Sequence, residues 1–195
     1  GAAAASYRSL AKALSANDVD AYVVQYPQRA DRRDHPAADS IGALALGLFE
    51  EAGDWHSAAP LSLFGHSMGA VVAFEFARVA ERNGVPVRTL WVSSGQAPST
   101  IAAAAPLPTS DSEVLADMMD LGGTDPMLLE DDEFVELLVR AVRADYQAFS
   151  RYSCQPDVRI RARIHALGGG RDHRISREML TGWETHTSSQ FALSY

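Results

Sequence analysis

The chain has one cysteine in 195 residues, Cys154, so an internal disulfide is excluded and a reducing, cytoplasmic compartment is expected. Lysine is almost absent: Lys12 stands alone among seventeen basic side chains, all the others arginine. Against twenty-five acidic residues they leave a net charge of −8, and no basic stripe with interleaved aromatics occurs, which argues against nucleic acid as a partner. No apolar run approaches the roughly 20 residues of a membrane span, so no membrane association is expected. The opening Gly1–Ser6 lacks the charged start and long apolar stretch of a signal peptide. Cys154 has no ligand cluster around it, and neither a metal nor a resident cofactor is expected. What remains is 47% hydrophobic and long enough for one domain with a sizeable core, expected to be monomeric.

The most informative stretch is Leu61-Ser62-Leu63-Phe64-Gly65-His66-Ser67-Met68-Gly69, followed by a helical pattern from Ala70 to Arg82. A short apolar run ending in Gly-x-Ser-x-Gly and leading into a helix is the pattern of a nucleophile elbow. Such a turn lifts a serine hydroxyl above the end of a parallel sheet. Around it the chain alternates. Helix is expected over Ala5–Ala16, Ser40–Ala52 and Ala70–Asn83, and strand over Val19–Tyr26, Leu61–Phe64 and Val87–Ser93. That alternation predicts an α/β protein with a mostly parallel sheet flanked by helices.

From Ala97 to Ser153 no strand candidate appears. Helix is expected over Ser110–Leu121 and Glu133–Tyr152, the latter with an apolar stripe, so residues 97–153 are expected to form a helical lid inserted in the domain. Strand character resumes over Ile160–Leu167, then come a glycine loop ending in Asp172, a helix from Ser176 to about Thr185, and a strand running to Tyr195.

A serine hydroxyl needs a general base, usually histidine held by a carboxylate, and backbone N–H groups for the oxyanion. In the α/β-hydrolase order of serine, acid, histidine, Asp172 is the acid expected for Ser67, because it follows a late strand in a loop. Asp111, Asp117, Asp120, Asp125, Asp131 and Asp132 fall in the helical insertion and read as solvated charges or caps. The N–H of Met68 is the expected oxyanion donor. His66, His165, His173 and His186 are each read as surface or packing residues, leaving the base unassigned.

With these residues in place the chain resembles the type II thioesterases, stand-alone α/β-hydrolases of polyketide and nonribosomal peptide synthesis. The resemblance rests on Gly65–Gly69 with Phe74-Glu75, Tyr26-Pro27-Gln28-Arg29, Ser93-Ser94-Gly95-Gln96-Ala97-Pro98, Gly122-Gly123-Thr124 and Arg143-Ala144-Asp145-Tyr146. Gln28 stands where the family usually has glycine, so a looser turn is expected there. The family pattern would place one strand before Gly1, with Gly1 at or near the second oxyanion donor, and a Gly-Gly-His-Phe segment carrying the base after Tyr195. The sequence is therefore expected to be an interior portion, one truncated domain over 1–195, and catalytically silent without that histidine.

The resemblance implies hydrolysis of acyl thioesters on the phosphopantetheine arm of acyl or peptidyl carrier domains, in an editing role. The arm arrives with the substrate. Met118, Leu138, Val142 and Tyr146 of the lid are candidates to line an acyl channel, against the alternative that they are plain packing. Arg29, Arg32 and Arg33 are candidates for docking an acidic carrier, against the favoured alternative that they belong to a solvated loop. A general serine esterase or lipase remains an alternative, as does a non-catalytic carrier-binding module with a hydrolase fold. A malonyl-type acyltransferase would need an arginine about 25 residues after the serine, where this chain has Leu90-Trp91-Val92-Ser93.

Overall fold

A computed structural model describes residues 3–53, 61–122 and 126–195. In chain order its helices are α1 (Arg8–Ser15), α2 (Ile41–Ala52), α3 (Met68–Arg82), α4 (Asp111–Leu121), α5 (Asp132–Ser150) and α6 (Arg177–Thr181). Its strands are β1 (Leu61–His66), β2 (Val87–Ser93), β3 (Arg163–Leu167) and β4 (Phe191–Ser194). The chain divides into two compact units, Asp39–Pro106 with Ala148–Tyr195, and Gly1–Ala38 with Leu107–Gln147. Among the described residues no helix is long and apolar enough to cross a membrane.

The first unit holds the sheet, in the order β1-β2-β3-β4 with every pair parallel. Val87, Thr89, Leu90 and Val92 of β2 are buried, with neighbouring Thr89 and Leu90 on opposite faces, as in a parallel strand covered on both sides. Parallel neighbours need a crossover, and α3 supplies the one from β1 to β2. Alanines 70, 77 and 80 on its buried face let the helix lie close. Phe76 meets Phe49 of α2 edge-on at 5.7 Å, and Phe74 meets Trp183 in the same way at 5.8 Å.

Buried polar groups in this unit are paired. Glu75 accepts from the Tyr152 hydroxyl at 2.7 Å and from Arg78 at 2.7 and 2.8 Å. Burial, with the Glu75 charge beside it, raises the Tyr152 pKa well above its usual range, so the phenol remains a donor. The Glu81 carboxylate accepts the N–H groups of Arg161 and Ala162, which replaces ladder pairing just before β3. The expected strand Ile160–Leu167 is accordingly shorter: Ile160 makes an isolated bridge with Thr187, and the ladder starts at Arg163.

His186 is fully buried, as a packing histidine. Its Nδ1 lies 2.8 Å from the Val158 carbonyl, which only accepts, so Nδ1 carries the proton. Nε2 then accepts from the Ser99 backbone and hydroxyl at 3.3 and 2.9 Å. Burial lowers its pKa, so the native state holds fewer protons than the unfolded chain between the native value and about 6.5. This contribution to stability is full above that range and is lost as the pH falls through it. Thermal melts of the His186→Gln variant should therefore show less destabilisation below about pH 6.5 than those of the parent.

The second unit joins α4 and α5 to the N-terminal segment. Val114 and Met118 of α4 pack against Val139 and Val142 of α5, with Leu115, Val135, Leu138 and Tyr146 around them. The Tyr146 hydroxyl donates to Asp117 at 2.6 Å, Arg143 pairs with Asp111, and Asp131 accepts from the Phe134 N–H at the start of α5. Ser110 and Glu113 form a reciprocal capping box at the start of α4.

Two sequence expectations fail here. Val19–Tyr26 is apolar enough for a strand but forms no ladder. A strand needs backbone partners as well as composition, and without them Val19, Tyr22 and Val24 lie exposed. The turn at Gln28 is tight in spite of the missing glycine: Gln28 adopts φ +62° and donates its N–H to the Arg32 carbonyl at 2.9 Å. A left-handed residue with a Cβ costs about 1–2 kcal/mol, and the buried Gln28 Oε1 has no hydrogen-bond partner. Gln28→Gly should raise stability by about 1 kcal/mol, read as a higher urea midpoint.

Candidate active site

Ser67 sits where β1 turns into α3, with φ +55° and ψ −126°, a conformation that a residue with a Cβ adopts only when its surroundings force it. Two hydrogen bonds and two close backbone approaches supply that force. The Ser67 N–H donates to the Ser93 carbonyl at 2.8 Å, and the Ser67 carbonyl accepts from Ala70 at 2.9 Å. At Gly65 a Cβ would lie 2.5 Å from the Gly69 carbonyl carbon and 2.6 Å from Ala70 Cα, with the Gly69 oxygen nearer still. At Gly95 a Cβ would come within 2.9 Å of the Ser67 carbonyl oxygen. The bend is locked by backbone on both sides, and Ser67 itself is exposed.

Met68 is the first residue of α3, so its N–H belongs to the first turn, which has no acceptor within the helix. That N–H and the positive end of the helix dipole favour negative charge at this spot. Gly1 lies outside the described residues.

Asp172 is in the loop after β3, half-buried, and its N–H donates to the Gly169 carbonyl at 3.0 Å. Its Oδ1 accepts from the N–H groups of Arg174 at 2.9 Å and Ile175 at 3.1 Å. Partial burial pushes the carboxyl pKa up. These two N–H groups, the Ser94 hydroxyl and neighbouring His173 outweigh it and hold the pKa below the usual carboxylate value. Asp172 therefore stays ionised through the neutral range.

Ser67 and Asp172 lie at the carboxyl ends of β1 and β3, which flank β2. Two strand spacings of the backbone, about 10 Å, separate those ends. The carboxyl edge of an open parallel sheet is also where such folds bind ligands.

Four of the described histidines lie on or beside these elements. His66 Nδ1 lies 3.1 Å from Ser93 Oγ, and burial lowers its pKa while Asp172 opposes the shift. His165 stacks on Trp91 at 4.5 Å and contacts Ser194 Oγ at 2.8 Å, and His186 is the packing residue above. His173 is exposed beside Asp172. The four lid candidates Met118, Leu138, Val142 and Tyr146 meet one another between α4 and α5, where Met118 and Val142 are buried in the packing of the helix pair.

Arg29 is not available for docking. It is 7% exposed, paired with Asp145, bonded to the Pro27 carbonyl and placed over the Tyr26 ring at 5.8 Å. Ser93 and Ser94 went unassigned in the sequence reading. They enter the resemblance only within the stretch Ser93–Pro98, which gives neither serine a role of its own.

Comparison with known proteins fits this geometry. A family model described as "Thioesterase domain" matches residues 1–195. The chain is 78% identical over 195 residues to phenyloxazoline synthase MbtB of Mycobacterium tuberculosis, covering 100% of this chain and 14% of that protein. It is 39% identical over 176 residues to thioesterase PikA5 of Streptomyces venezuelae, covering 90% of this chain and 63% of the relative. The chain thus spans less than two thirds of both relatives. Among solved structures it is similar to the type II thioesterase BorB from the borrelidin biosynthetic cluster, with TM-score 0.81, 35% identity, and 99% and 78% of the two chains covered. The match of that family model over residues 1–195, on a sheet of four parallel strands with an elbow at Ser67, places the chain in the thioesterase family.

Proposed function

We propose that the chain carries the nucleophile and the acid of a serine thioesterase that hydrolyses acyl thioesters borne on the phosphopantetheine arm of a carrier domain. The observation that carries this reading is the strained, exposed Ser67 at the first turn of α3, two strands from an ionised Asp172. Ser67 Oγ attacks the thioester carbonyl while a base takes its proton. The Met68 N–H steadies the oxyanion, and the carbon–sulfur bond breaks with the proton passing to the leaving thiolate. Water, deprotonated by the same base, then attacks the acyl-serine ester. The acid is released and the proton returns to Ser67. The resemblance assigns the base to a histidine in the loop after β4, whose end lies beside that of β3.

Residues 97–153 form the lid in this proposal. Met118 and Val142 hold its helices together, and the less buried Leu138 and Tyr146 are what it offers an acyl chain. The protein needs no cofactor of its own, because the pantetheine arrives with the substrate. The similarity to a segment of phenyloxazoline synthase MbtB favours a second setting, in which the carrier belongs to the same polypeptide.

The test is a substrate comparison on the full-length protein, using one acyl group presented as a pantetheine thioester and as a simple oxygen ester. The expected result is a kcat/KM at least about tenfold higher for the thioester. An inverted preference supports the esterase reading. Turnover of neither, with no labelling by a fluorophosphonate, supports the binding module.

A further inference from the structure

The turn Ser93-Ser94-Gly95 is the only link among the described hydrogen bonds that touches the backbone of Ser67 on one side and the strand of Asp172 on the other. Ser93 accepts the Ser67 N–H at 2.8 Å, and Ser94 donates its N–H to the Leu167 carbonyl at 3.1 Å, just before the acid loop. Ser94 holds φ +46°, a left-handed backbone that is uncommon for a residue with a Cβ. The bond to the Leu167 carbonyl places Ser94 at the start of the acid loop, and its hydroxyl is among the groups that hold the Asp172 carboxyl pKa down. The two Oδ1 bonds from Arg174 and Ile175 come from the loop of Asp172 itself, so they hold the carboxylate within that loop. Ser94 instead comes from the end of β2, the strand between acid and nucleophile, and its N–H is bonded to the end of β3.

We propose that Ser94 is a positioning residue for the reaction: its hydroxyl, delivered by a left-handed backbone, orients the Asp172 carboxylate toward the gap beside Ser67. The inference rests on the thioesterase reading and adds a residue to it. Nothing about Ser94 touches the reacting atoms, so its effect passes through Asp172.

The experiment is a double-mutant cycle on the full-length protein with an acyl-pantetheine thioester. Ser94→Ala should lower kcat about tenfold with KM nearly unchanged, the scale of one hydrogen bond to a charged group. Ser94→Gly removes the same hydroxyl while relieving the left-handed backbone, and should lose the same activity while folding at least as well. Ser94→Asn, which tolerates this backbone and offers an N–H donor, should recover part of kcat. In an Asp172→Asn background, Ser94→Ala should have no further effect, because the two act as one unit.

Wild-type kcat in Ser94→Gly, or an equal loss from Ser94→Ala in both backgrounds, would overturn the proposal. Full turnover by Asp172→Asn alone would instead overturn the assignment of the acid, so the two failures are distinguishable.

Discussion

Ser67→Ala should lower kcat for an acyl-pantetheine thioester by about 10⁵-fold or more in the full-length protein, while the protein stays folded. The substitution keeps the Cβ and the φ of +55°, so the backbone at the bend is as strained as before. Nothing in the packing depends on the hydroxyl, because Ser67 is exposed and its side chain makes no capping bond to α3. What the variant loses is the atom that carries the acyl group. Binding through the pantetheine arm should persist, so KM should move far less than kcat. A kcat within tenfold of the parent would mean that water is activated directly elsewhere, and that the bend at Ser67 is structural.

Asp172→Asn should lower kcat by about 10⁴-fold, the scale on which a triad loses its oriented, charge-matched imidazole. The two side chains are nearly the same size, and the amide oxygen still accepts from Arg174 and Ile175, so the loop should keep its shape. The amide, however, offers N–H where the imidazole needs an acceptor, which turns the base to the wrong tautomer. The pH profile gives a second readout. Because the Asp172 carboxyl lies below the usual carboxylate range, the acid limb of kcat/KM in the parent belongs to the imidazole, whose ordinary pKa is about 6.5. The Asp172→Asn variant should shift that limb to lower pH, since removing the carboxylate withdraws support from the imidazolium. Circular dichroism and steady-state kinetics from pH 4.5 to 9 check both points.

The elbow was legible because its steric demands are written in residue types. Gly65 of the Gly-x-Ser-x-Gly run stands where a Cβ would strike backbone, and the helix of alanines and aromatics after Ser67 matches α3 closely. The place of Asp172, in a glycine loop after a strand, was legible in the same way. Val19–Tyr26 misled because strand composition describes a pleated, half-buried surface and says nothing about whether a neighbour is present to pair with.

Gln28 misled in the opposite direction. The usual residue for a left-handed turn is glycine, yet the Arg32 carbonyl and the surrounding packing hold glutamine there. Arg29 read as a surface charge beside Arg32 and Arg33, but its partner Asp145 lies 116 residues along the chain, a distance that pattern reading does not span. Ser94 escaped notice because its part depends on a backbone angle and on the approach of β3, neither of which leaves a mark in residue order.

The most direct measurement is acid-quench mass spectrometry of the full-length protein mixed with excess acyl-pantetheine thioester, followed by peptide mapping. If the hydroxyl at the bend is the nucleophile, the acyl mass appears on the peptide containing Ser67 within the first turnover and is absent from Ser67→Ala. Rapid hydrolysis with no adduct at Ser67, or an adduct on another residue that survives in Ser67→Ala, would contradict it.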